Sequence, residues 1–155
     1  MTTKTRIAIL RANALYLFIA SLGGLRTDLM GSFFCKGPLS GVIQSAPHAG
    51  IGFVEAHGLA FILSILLWRA APLRSWHLTA AAIHTLLGTA NVAFWQLFVA
   101  TDLLWLGYLT TALHWVFVLL EIGAAMSERA SRPAEEGQPF PPDRIGDVCA
   151  KATSN

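Results

Sequence analysis

Charge is what this chain has least of. Residues 78–122 contain two acids, Asp102 and Glu121, and no lysine or arginine over 45 positions. Across all 155 residues only 13% are charged, where a soluble domain carries about 25%. The formal net charge of +2, with no Lys/Arg cluster, excludes a nucleic-acid partner. Cysteine is as scarce. Cys35 and Cys149 are the only two, and they fall in different non-membrane segments. That excludes a cysteine-built metal centre and argues against an intramolecular disulfide. No glycine-rich phosphate loop, nucleophile elbow or HExxH zinc motif is present. No motif names a reaction.

What is abundant is apolar. Hydrophobic residues make up 54% of the chain and mean hydropathy is +0.55. As one helix, residues 78–122 would extend about 65–70 Å, more than twice a hydrocarbon core of about 30 Å. The run must fold back, and Thr101-Asp102 is the only charged, turn-like break near its middle. The expected fold is all-α: a polytopic membrane protein, a bundle of four transmembrane helices. Its spans are placed at residues 7–25, 51–68, 76–100 and 103–124, within a transmembrane domain of residues 1–126. The remainder, 127–155, holds Arg132-Pro133, Glu135-Glu136, Pro139 and Pro141-Pro142 and reads as a disordered cytoplasmic tail.

The first segment has a basic start (Lys4, Arg6, Arg11) that also resembles a secretory signal. No clear small-x-small cleavage site follows, so it is read as an uncleaved span from whose end Arg11 snorkels. Residues 26–50 contain Gly31, Gly37-Pro38, Gly41, Pro47 and Gly50 and read as a loop, with short interfacial helical turns at 29–34 and 39–43. Arg69 and Arg74 share one side with Lys4, Arg6 and Arg11 and with Arg129 and Arg132, while Arg26 and Lys36 face the other. The positive-inside rule then makes this a multi-pass cell-membrane protein with both termini cytoplasmic. Trp68, Trp76, Trp95 and Trp105 lie near span ends as interface anchors. Thr27-Asp28-Leu29 recurs as Thr101-Asp102-Leu103, too short a match to establish duplication.

Polar residues inside a membrane are costly, so each is a candidate for function. They are Glu55 and His57 in the second span, His84 and Asn91 in the third, and His114 and Glu121 in the fourth, with Asn13 in the first. An antiparallel hairpin centred on residue 99 sets His84 opposite His114, His77 opposite Glu121 and Asn91 opposite Gly107. Seven-residue spacing places each set on one helix face. Gly88, on the same face, would let the two helices approach closely. Glu55 and His57 are two apart, about 200° around a helix, and point to different partners.

Three chemistries fit. Haem needs two imidazoles with the macrocycle between them. A tight hairpin is narrow for that, so His57 with His84 or His114 is the better pair. A metal ion has suitable ligand types in His57, His84 and His114, with Glu55 in support. A quinone or proton site needs only a histidine with a carboxylate partner near aromatics. The rival reading is a non-catalytic membrane scaffold or subunit, whose histidines merely bond neighbouring carbonyls or threonines such as Thr85, Thr110 and Thr111.

Gly52-x-x-Glu55-x-x-Gly58-Leu59, followed by a short basic loop and a long third helix, resembles the DoxX-like small four-helix membrane proteins. That resemblance, over roughly residues 6–122, implies an inner-membrane protein of redox or sulfur metabolism, sometimes acting with partner subunits. His57, His84 and His114 have no counterpart in it. The sequence reading is therefore a binding or redox-accessory protein of the lipid bilayer. It would have a buried His-rich site for a quinone, haem, metal or proton, acting alone, as a homo-oligomer or with a membrane partner subunit.

Overall fold

The computed structural model describes residues 1–129; of the tail expected to be disordered over 127–155, residues 127–129 are helical and the rest lies outside the described residues. Six helices follow in order: α1 (Thr3–Phe34), α2 (Ser40–Ser45), α3 (Ala49–Arg69), α4 (Arg74–Ala93), α5 (Trp95–Ala100) and α6 (Leu104–Arg129). No strand occurs among the described residues. α1, α3 and α6 are long and apolar enough to cross a membrane. α4 does not meet that criterion, because His77, His84, Thr79, Thr85, Thr89 and Asn91 take the place of apolar residues.

Two antiparallel hairpins make the body. In the first, α1 runs against α3. Thr2 caps α1 by accepting from Thr5 N. The helix passes the expected end at residue 25 and continues to Phe34. Nothing before Cys35 stops it, because Asp28 is paired inside the hairpin and does not terminate the helix. Cys35 takes a left-handed conformation (φ 53°) and Lys36 N–H donates back to Met30 O at 3.1 Å. The short helical turn expected at 39–43 is present as α2. Its Ile43 is buried between Gly31 and Gly50, where added Cβ atoms would lie 2.9 and 3.4 Å from that side chain.

α3 ends at Arg69, just before Pro72, and the first hairpin is tied there by arginines of α1. Arg11 donates to Leu67 O (2.9 Å) and Ala70 O (3.3 Å) and lies over the Trp68 ring. Arg6 donates to Pro72 O. The Arg11 guanidinium adds donors to carbonyls at the C-terminus of α3, and both guanidinium groups oppose its negative dipole end. The snorkelling expected of Arg11 thus has defined acceptors.

In the second hairpin, α4 runs against α6. The third span, expected to reach residue 100, breaks at Phe94 (φ −105°, ψ 30°), and α5 turns back over α6. The turn lets Phe98 pack on Gly107, whose missing side chain leaves room: a Cβ there would be 2.7 Å from the Phe98 ring. A straight helix would carry Phe98 away. Asp102 closes the hairpin at φ 56°, a conformation that aspartate tolerates. Asp28, by contrast, is buried in a helix, so the two Thr-Asp-Leu segments are not structural equivalents.

The hairpins meet through Leu10, Ala14 and Leu17 of α1, Ala60 and Leu67 of α3, and Ala80 of α4, joined by Trp76, Ile83 and Leu87. The outward faces stay apolar: Ile19, Leu59, Ile62, Leu86 and Leu119 are exposed. That is the distribution of a chain whose surroundings are hydrocarbon.

Candidate functional site

The interior of this apolar body holds a continuous polar string. His77 Nδ1 bonds Glu121 Oε2, and Asn13 Nδ2 donates to Glu121 Oε1 at 2.6 Å. His84 Nε2 bonds Asn13 Oδ1 at 2.6 Å, and His84 Nδ1 meets His114 Nδ1 at 2.8 Å. Five side chains from α1, α4 and α6 are linked, all of them buried. The pairings expected from the hairpin register, His77 with Glu121 and His84 with His114, are both present. Asn91 differs: it donates to Thr110 Oγ1 at 3.1 Å, one turn from Gly107.

Two features of the sequence make this local geometry possible. Gly88 lets α4 approach α6, since a Cβ there would be 3.2 Å from His114 Cβ and from Trp115 Nε1. Tyr16 of α1 closes the upper side, its ring stacked near His84 and edge-on to His114, and Phe117 stacks on Tyr16 and His84. The imidazole pair is therefore held in an aromatic box.

Donor and acceptor counting fixes the sense of the string. An ionised Glu121 only accepts, so Asn13 turns its NH2 group to it and its carbonyl to His84. His84 then carries its proton on Nε2, its Nδ1 accepts, and His114 donates from Nδ1. Every bond runs toward Glu121. With Glu121 protonated, rotation of the Asn13 amide reverses the string: Glu121 donates to Asn13, Asn13 to His84 and His84 to His114. The two senses differ by one proton on Glu121 and a tautomer change at each of His84 and His114. At the far end, His77 Nε2 is buried with no hydrogen-bond partner.

His57 lies elsewhere. Its Nδ1 is 2.5 Å from Asp28 Oδ2, between α3 and α1, so it joins neither His84 nor His114. Glu55 is exposed, on a different face of α3 from His57, as the 200° offset requires. No group of three His, Cys, Asp or Glu that could hold a metal ion occurs among the described residues. The rings of His84 and His114 are in direct hydrogen-bonding contact, with centroids 5.1 Å apart, and leave no gap for a porphyrin.

Sequence reasoning missed Asp28, which it set in a loop, and Tyr16. A signal for Asp28 existed. Asn13, Leu17, Ser21, Gly24 and Asp28 recur at spacings of three and four, a single helix stripe that continues past residue 25. Asn13, Leu17, Ser21 and Asp28 are all buried.

Over the described residues, fold and site together define an all-helical protein with three helices long and apolar enough to cross a membrane and a buried hydrogen-bonded His/Glu/Asn string. No protein-family model matches this chain, and neither a curated protein nor a solved structure shows significant similarity to it.

Proposed function

We propose that this is a four-span cell-membrane protein that carries protons along the His77–Glu121–Asn13–His84–His114 string. One observation carries the reading: five ionisable or amide side chains form an unbroken hydrogen-bonded series inside a body with apolar outer faces. Packing alone would not require it, since a leucine at any of these positions would avoid the cost of burying polar groups. α4 is the fourth span in this reading. Its bonds to α6 at His77, His84 and Asn91 are spread over 14 residue steps, so it runs beside α6 for about 21 Å. The positive-inside rule, applied to Lys4, Arg6, Arg11, Arg69, Arg74, Arg129 and Arg132, supports cytoplasmic termini with His77 toward that side.

The chemistry is acid–base exchange. Loading a proton on Glu121 is tied to the tautomers of His84 and His114, because the Asn13 amide between them turns with it. Histidine and carboxylate side chains buried inside a membrane protein are the groups from which proton relays are built. The likeness to DoxX-like proteins rests on Glu55 and its flanking glycines, outside the string, and adds no residue to it.

A second reading has its own observation. Asn13 bonds both Glu121 and His84, so the same string ties the first hairpin to the second. In a scaffold this tie would be its whole purpose. Proton flux into vesicles containing the purified chain separates the two. A relay gives flux above that of empty vesicles, and Glu121→Gln removes it while the folded protein still accumulates. A scaffold gives no flux, and His84→Leu or His114→Leu acts on abundance alone.

A further inference from the structure

The bundle contains a second carboxylate–imidazole pair, built the same way and set at the opposite end. In the second hairpin His77 lies near the start of α4 and Glu121 near the end of α6. In the first, Asp28 lies near the end of α1 and His57 near the start of α3. Each hairpin thus has one acid facing one histidine Nδ1. Asp28 and Asn13 stand 15 residues apart on α1, about 22 Å along the helix.

The Asp28 pair is open on one side only. Asp28 is 0% exposed and its Oδ1 has no hydrogen-bond partner. One turn further along α1, Ile43 of α2 seals the hairpin over Gly31 and Gly50. His57 is the accessible partner, with 36% of its side chain exposed and only its Nδ1 engaged. Gly24 makes the position: a Cβ there would fall 2.3 Å from His57 Cδ2 and Nε2, so only glycine lets the ring lie against α1. Among the described residues no other charged side chain bonds to the pair. Arg26, Lys36, His48 and Glu55 are all exposed, and α2 has no titratable side chain.

We infer that Asp28 and His57 form a proton-exchange port at the end of the bundle opposite His77, with the imidazole as the route between Asp28 and the surroundings. The transfer balances without a co-reactant. Nε2 of His57 takes a proton from outside, and Nδ1 releases its own to Asp28 Oδ2. His57 is left neutral in the Nε2–H form and Asp28 as a neutral acid. Carboxylate orientation of the ring is what makes Nε2 the basic atom. The inference rests on the proton-relay reading for its purpose, because a port at each end is what a path across the bundle needs.

Nitrogen NMR of histidine-labelled full-length chain in bilayers, read from about pH 5 to 8, tests the dyad apart from the relay. The expected result is His57 in the Nδ1–H form that gains its second proton at Nε2, and loss of that tautomer preference in Asp28→Leu. Vesicle proton flux then tests the coupling. Asp28→Asn keeps an acceptor for Nδ1 but removes the proton site, and His57→Gln removes the imidazole. Each should cut flux about tenfold or more, as should Gly24→Val, which displaces the ring. His57 held in the Nε2–H form regardless of Asp28 overturns the inference. So does wild-type flux in all three variants when Glu121→Gln is inactive, an outcome that leaves the relay standing. If the wild type carries no flux, the relay reading fails, and the His57 tautomer result alone decides whether the port exists.

Discussion

His84 and His114 face each other through the same ring atom, Nδ1 to Nδ1 at 2.8 Å, with Asn13 fixing the other side of His84. Two neutral imidazoles in that relation share one proton, and each determines the tautomer of the other. Replacing His114 by leucine leaves a buried His84 Nδ1 without its donor, a loss of about 1–3 kcal/mol. The His84→Leu, His114→Leu pair should cost less than the two single changes added together, because the orphaned atom is gone. Unfolding in mild detergent, followed by circular dichroism, measures both.

Glu121 separates shape from charge. Glutamine retains one acceptor for Asn13 Nδ2 and offers a donor to His77 Nδ1, provided His77 moves its proton to Nε2. Glu121→Gln should therefore stay within about 1 kcal/mol of the wild type while losing proton transfer. Alanine leaves two buried partners stranded and should cost about 3–5 kcal/mol. Thermal melts of the two variants beside the wild type give the comparison.

Gly88 sets how near α4 comes to α6. Alanine puts a Cβ 3.2 Å from His114 Cβ, a contact that small shifts relieve. Leucine cannot be accommodated without parting the helices and breaking the His84–His114 bond. A cysteine pair introduced at exposed sites on α4 and α6 should crosslink readily in the wild type and in Gly88→Ala, and poorly in Gly88→Leu.

Arg11 closes the end of α3 through Leu67 O and Ala70 O. Arg11→Ala should lower stability by about 1–3 kcal/mol. Lysine, a single point donor without the planar fork, should recover only part of it. Hydrogen exchange at the last turn of α3 should rise in step with the loss.

Much of the α4–α6 half was legible in sequence, and the reason is geometric. With one forced turn at Thr101-Asp102, antiparallel register follows from numbering, and His77–Glu121 and His84–His114 fall into place. The α1–α3 half was not, because a long connection separates the helices and no register could be counted. Asp28 looked like a loop residue since charge normally ends an apolar helix. Its partner, His57, is what keeps it inside one. The same gap led the histidines to be grouped as His57, His84 and His114, when packing divides them between two hairpins. Asn13 was visible as a polar residue, but its place as the link between Glu121 and His84 depends on how the hairpins dock.

The central claim is that the buried string conducts as one unit. Proton flux should be measured in vesicles for the wild type, His84→Gln, Glu121→Gln and the double variant, at matched protein content. A single unit predicts that each change alone abolishes flux and that the double variant is no worse than either. Flux that persists in both single variants, or losses that multiply in the double, would contradict it.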